Sequence, residues 1–175
     1  MSCFKKRIIV FLMLLFLVQT TIAQQLQNVF ISQDGKAAYR ISLNTIYVVL
    51  TEKGIISEVK TSANGTIVYN TANKVEQIGE VRIGYNYQGF VNLIGDASVL
   101  YDYTGRVDRI GTIGFRYNYN GLIAEIGNQK IQYNSDNRID QFDSYKIYYS
   151  YNKMVQRIDE SMGLILLQLN YEKSK

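Results

Sequence analysis

Residues 69–164 read YNTANKVEQIGEVRIG (69–84), YNYQGFVNLIGDASVL (85–100), YDYTGRVDRIGTIGFR (101–116), YNYNGLIAEIGNQKIQ (117–132), YNSDNRIDQFDSYKIY (133–148) and YSYNKMVQRIDESMGL (149–164). Tyr69, Tyr85, Tyr101, Tyr117, Tyr133 and Tyr149 therefore stand 16 residues apart. Position 7 of each unit is Val or Ile: Val75, Val91, Val107, Ile123, Ile139 and Val155. Position 10 is Ile or Phe, and position 15 is apolar until Gly163. Position 5 is Gly or Asn except at Lys153. Several columns agree at once over six copies, which marks an internal repeat.

Two looser units precede these, starting at Ile31 and Leu50, so their starts are 19 residues apart. Ile165–Tyr171 begins a further unit that stops early. Residues 24–175 thus read as one β-repeat domain without a linker.

The fixed columns are Tyr, Ile and Val, punctuated by Asn-Gly, Gly-Asp and Gly-Asn, a composition of short strands and tight turns. One strand is expected from about position 14 to position 2 of the next unit, and a second from about 6 to 11. A three-residue loop at 3–5, with position 5 left-handed, sets Tyr 1 opposite Val/Ile 7. A two-residue turn at 12–13 sets position 10 opposite 15. The two pairings differ by one residue, so a bulge is expected near positions 8–9. That bulge also brings position 7 to the Tyr of the following unit. Positions 1, 7, 10 and 15 then share an apolar face, and 2, 9 and 14 point the other way.

The expectation is an all-β antiparallel meander of 16-residue hairpins, with about 15 or 16 strands. So many strands do not stay flat and open, so the sheet curls into a barrel-like form or folds over on itself. The alternative is a parallel β-solenoid with one coil per unit. Two Gly turns per unit favour the meander. The chain has no Pro, which suits strands that all need their N–H groups.

Tyr101-Asp102-Tyr103-Thr104-Gly105-Arg106-Val107, followed by Ile110, resembles the YD repeat of the bacterial Rhs and teneurin families. The resemblance extends loosely over residues 69–159 and implies a strip of β-hairpins. Elsewhere Asn or Ser replaces the Asp, and Arg at position 6 recurs only at Arg138. It implies no toxin-enclosing shell, because a chain of this length is far too small to form one.

Residues 1–23 read as a secretory signal peptide. Lys5, Lys6 and Arg7 precede the apolar run Ile8–Val18, and Thr21 and Ala23 suit a cleavage site. Eleven helical residues span about 16 Å, short of the roughly 30 Å hydrocarbon core, so no stable membrane span is expected after cleavage. The whole chain of 175 residues has 19 basic against 15 acidic side chains. Without the leader, 16 face 15, and the only Cys, Cys3, is gone. Near-neutral charge argues against nucleic acid as a partner. The expected location is periplasmic or extracellular.

The chain has no His. That removes imidazole bases, Ser-His and Cys-His nucleophiles and His-ligated metals. Asp136, Asp140, Asp143 and the pair Asp159/Glu160 read as a solvated polar face, and the Asn134–Asp140 stretch lacks the Gly and final Glu of a calcium loop. No catalytic residue, metal or cofactor is assigned, and the chain is not expected to be an enzyme. The candidate binding residues are the position-3 tyrosines, Tyr87, Tyr103, Tyr119 and Tyr151. At hairpin loops they would stack on sugar rings or partner side chains. The alternative is that they cap a sheet edge or pack on neighbouring hairpins. The functional expectation is an exported protein that binds an extended ligand, glycan or peptide. The alternative is a non-catalytic structural or assembly protein of the envelope, whose exposed strand edges recruit another envelope protein.

Overall fold

The computed structural model describes residues 25–43, 45–61, 65–159 and 163–168. The expected leader, Glu160 and Tyr171 lie outside them. Among the described residues there are seventeen strands and no helix. The first four are β1 (Gln25–Ser32), β2 (Ala37–Leu43), β3 (Ile46–Thr51) and β4 (Ile56–Thr61). Twelve follow: β5 (Ile67–Tyr69), β6 (Val75–Ile78), β7 (Val81–Tyr85), β8 (Val91–Ile94), β9 (Ala97–Tyr101), β10 (Val107–Ile110), β11 (Ile113–Tyr117), β12 (Ile123–Ile126), β13 (Gln129–Tyr133), β14 (Ile139–Phe142), β15 (Tyr145–Tyr149) and β16 (Val155–Ile158). The last is β17 (Ile165–Gln168).

Strands β5 to β16 form one antiparallel meander in sequence order, a strip of twelve strands that does not close. Among the described residues the strands form neither a closed barrel nor a parallel solenoid, and the strip fits the folded-over form of the expected meander. Strands β1 to β4 do not continue that strip. They form a separate sheet in the order β17-β1-β2-β3-β4. The split follows from strand length. β2 and β3 pair over six residues without a register shift, whereas a strip hairpin pairs over two or three positions between interruptions. β17 departs from the meander as well. Instead of continuing the strip it lies parallel to β1, with Val29 opposite Ile165.

Within the strip, Tyr at position 1 faces position 7, as in Tyr101/Val107 and Tyr117/Ile123. Position 8 is skipped each time: Arg116 faces Glu125 while Tyr117 faces Ile123. This is the expected bulge. The second turn lies one residue earlier than expected. Position 10 faces 13 in its own unit, as in Ile94/Ala97, and position 15 of the preceding unit, as in Ile94/Ile83. Position 11 therefore opens the turn. It holds Gly79, Gly95, Gly111 or Gly127, all at φ of 55–59°, or Asp143 at 51°.

Buried side chains of both sheets form one cluster. Ile83, Val99, Phe115, Ile131 and Ile147 at position 15 are all buried, as are Ile78, Ile94, Ile110, Ile126 and Phe142 at position 10. In the smaller sheet Ile41, Val48 and Leu50 are fully buried, alternating with half-buried residues on the opposite face.

The bulge explains how the sheets join. It removes position 7 from the regular ladder, leaving its N–H and C=O to find other partners. The N–H donates to a hairpin tip of the smaller sheet: Val107 to Gly54 (3.0 Å), Ile123 to Glu52 (2.9 Å), Ile139 to Gly35 (3.2 Å) and Val155 to Gln33 (2.9 Å). The C=O accepts from the tyrosine hydroxyl ten residues on. Tyr85, Tyr101, Tyr117, Tyr133 and Tyr149 donate in turn to Val75, Val91, Val107, Ile123 and Ile139, at 2.5–2.8 Å. The repeated Tyr is thus a backbone clamp as well as an apolar contact. Tyr133 is also joined by the fully buried Tyr39, hydroxyl to hydroxyl at 2.9 Å. Because Tyr133 donates to Ile123, it accepts from Tyr39.

Candidate functional site

The loop after each position-1 Tyr is built by one side chain. The position-2 oxygen accepts from the backbone N–H groups of positions 4 and 6. Asn86 accepts from Gln88 and Phe90, Asp102 from Thr104 and Arg106, and Asn118 from Asn120 and Leu122, at 2.8–3.0 Å. Position 2 therefore does not simply face outward, as the alternation implied. Ser150 makes the corresponding bond to Met154 alone. The position-2 N–H then donates to the position-6 carbonyl, and position 5 turns left-handed, with Gly89 at φ 86°, Gly105 at 83°, Gly121 at 76° and Lys153 at 63°.

Position 3 sits at the apex of this braced loop and its side chain projects into solvent. Tyr87, Tyr103, Tyr119 and Tyr151 are 96%, 98%, 97% and 101% exposed. They neither cap a sheet edge nor pack on a neighbouring hairpin. Successive tips lie two strands apart, roughly 9–10 Å. The row is interrupted at the fifth unit, where position 3 is Ser135.

Neighbouring tips are tied together beneath the rings. Lys74 Nζ donates to Gly89 O at 3.2 Å, Asn120 Nδ2 to Asn137 Oδ1 at 2.6 Å, and Lys153 Nζ meets Asp136 Oδ2 at 3.0 Å. Position 6 lies on the next clamp tyrosine. Arg106 stands 4.1 Å above the Tyr117 ring, Lys74 is 5.0 Å from Tyr85, and the Phe90 and Tyr101 rings are 5.3 Å apart. These contacts were not legible in the sequence, although position 6 alternates between a cation and an apolar residue from Lys74 to Met154.

The unit carrying the YD-like signature is the most tightly held. Arg106 donates Nε to Asp102 Oδ2 at 2.8 Å and places its NH2 2.7 Å away. Burial alone would raise the Asp102 pKa. Hydrogen bonds from Thr104 and Arg106 outweigh that and bring it down to about 2. The other acidic candidates are dispersed. Asp136 pairs with Lys153 and Arg138, and the bond from Lys153 lowers its pKa. Asp140 lies at a bulge, Asp143 in a turn, and Asp159 beside Arg157 at 3.6 Å.

One further feature escaped the reading of the sequence. Arg40 lies 3.7 Å from the Tyr47 ring centroid and 5.8 Å from that of Phe30, on the outer face of the five-stranded sheet. Its Nε is buried without a hydrogen-bond partner, and it lines a concavity of ≈ 340 Å³. The only sequence signal is its even position in the alternating segment Ala37–Leu43.

Comparison with protein-family models and with curated proteins finds no match for this chain.

Proposed function

We propose that the chain is an exported, non-enzymatic binding protein whose hairpin-tip tyrosines hold an extended ligand, a glycan or a peptide, in the periplasm or outside the cell. The observation that carries this reading is the row of almost fully exposed rings at Tyr87, Tyr103 and Tyr119, on braced loops at regular spacing. A tyrosine ring offers a large amphipathic contact with only two side-chain torsions to order. Rigid loops at a fixed interval lower the ordering cost of a multi-point contact. Gln88, Thr104 and Asn120 at position 4 add polar groups to the loops that carry the rings. The basic leader and the near-neutral remainder of the chain support export and a partner other than nucleic acid.

Replacing Tyr87, Tyr103 and Tyr119 together by Ser is the test. The rings pack on nothing, so the thermal midpoint should stay where it is. Retention on a glycan array or envelope fraction should fall by about tenfold or more per ring engaged, the equivalent of about 1.4 kcal/mol each. Undiminished retention by the triple variant would remove the tyrosine row from the function.

A further inference from the structure

Among the described residues, Arg40 is the one side chain with a buried polar atom that nothing pairs. It stands on the outer face of the five-stranded sheet, opposite Asn28 of β1 and Val49 of β3. The other described arginines are accounted for. Arg106, Arg116, Arg138 and Arg157 each meet a carboxylate, and Arg82 and Arg109 are exposed to water. Arg40 is half-buried and has neither. The carboxylate best placed to serve it is Glu58, across Val49 in the ladder, but Lys60 holds Glu58 at 2.6 Å. Taking a cation out of water without a counter-ion is costly. Contact with the Tyr47 ring at 3.7 Å and with Phe30 at 5.8 Å repays part of that cost and steadies the guanidinium. The same residues, with Val49, Glu58 and Lys60 among others, line the concavity of ≈ 340 Å³. Two cations and one carboxylate line it, which leaves one positive charge in excess.

We propose that this concavity binds a small monocarboxylate, its carboxylate on the Arg40 guanidinium and its neutral body against Tyr47, Val49 and Phe30. The planar fork of a guanidinium presents N–H groups at the spacing of two carboxylate oxygens. The Arg40 Nε is sealed off, so the Nη groups are the donors left to a ligand. The single excess charge matches a monoanion, whereas a phosphate dianion would bring one charge more than the lining offsets. The volume is at the lower end of ligand pockets, about 300–1,000 Å³, and suits a body the size of one sugar or amino-acid residue. The site belongs to the five-stranded sheet and the tyrosine row to the strip, so the two readings stand or fall separately.

Titration of the purified protein followed by the backbone amide resonances of Arg40, Tyr47 and Val49 tests this. Glucuronate and N-acetylalanine carry the carboxylate on a sugar and on an amino-acid body. Glucose and N-acetylalanine amide are their neutral counterparts, and glucose 6-phosphate is the dianion. At least one carboxylate should shift these resonances saturably, and the tighter of the two identifies the source. Its neutral counterpart should bind about tenfold more weakly or not at all. Arg40→Gln should raise the dissociation constant by about tenfold or more. Glu58→Gln, which removes the competing carboxylate, should lower it, and added salt should raise it. Thermal midpoints show whether the variants are folded. If Arg40→Gln does not fold, the neutral counterparts and Glu58→Gln still decide. No saturable shift with either carboxylate, equal response to the neutral counterparts, undiminished binding by folded Arg40→Gln, weaker binding by folded Glu58→Gln, or tighter binding of the phosphate would overturn the proposal.

Discussion

Tyr133 joins three parts of the molecule through one oxygen. It donates to Ile123 O at 2.8 Å and accepts from the buried Tyr39. Removing that oxygen leaves a buried carbonyl and a buried hydroxyl unpaired, so Tyr133→Phe should cost about 1–3 kcal/mol in denaturant unfolding. Tyr69→Phe is the control, since Tyr69 is 58% exposed and makes no such bond, and the change should stay within about 0.5 kcal/mol. Burial holds the pKa of Tyr39 well above its ordinary 10.0, with Tyr133 adding to the shift. The neutral form is thus favoured by folding. The associated stability is complete below about pH 10 and should fall as pH rises beyond it. Tyr39→Phe should lessen that alkaline fall in a pH series of unfolding midpoints without abolishing it, because burial also raises the pKa of Tyr85, Tyr101, Tyr117, Tyr133 and Tyr149.

At the scale of the hairpin, the loop chemistry was readable in advance and the docking chemistry was not. Left-handed position 5 followed from Gly and Asn in that column. Its consequences differ from loop to loop. Gly105, at φ 83°, has open space where a Cβ would stand, so Gly105→Ala should lose only about 1 kcal/mol through strain. A Cβ on Gly54 would overlap the Tyr117 hydroxyl and ring, and Gly54→Ala should lose about 3 kcal/mol or more. Thermal unfolding of the pair separates the turn requirement from the docking requirement. Asp102 offers an acid-side test. Its pKa of about 2 lies below the ordinary 3.8, so its contribution is full above about pH 4 and lost as pH falls towards 2. Asp102→Asn keeps the loop acceptor, as Asn86 and Asn118 do, but loses the charge that pairs with Arg106, so it should remove that acid dependence while lowering stability at neutral pH towards the acid level. Asp102→Ala should lose both, about 1–2 kcal/mol at neutral pH.

Across the whole molecule, the strip and the smaller sheet meet through a few backbone bonds set in a shared apolar core. Two tips of a four-strand run are matched by four bulges spread over seven strip strands, β10 to β16. The strip therefore takes the longer path and curves around the sheet. Hydrogen exchange reads this directly. The amides of Val107, Ile123, Ile139 and Val155, bonded to tips, should exchange at least about tenfold more slowly than those of Val75 and Val91, which no described tip serves. Equal rates would mean that the tips do not dock as described.

The spacing of Tyr, Val/Ile and Gly by itself determined the hairpin unit, its left-handed loop, the Tyr 1/position 7 pairing and the bulge. All of these depend on residues at most 16 apart, which local sterics and alternation constrain. The exposure of Tyr87, Tyr103, Tyr119 and Tyr151 was one of two readings, because solvent at a loop apex depends on whether another hairpin arrives there. Only the tertiary structure decided that the two 19-residue units leave the strip, that β17 returns beside β1, and that Tyr39 meets Tyr133 across 94 positions. These contacts depend on which apolar face covers which and on where the backbone groups freed by each bulge find partners. Those are properties of the assembled layers, and no single 16-residue unit contains them.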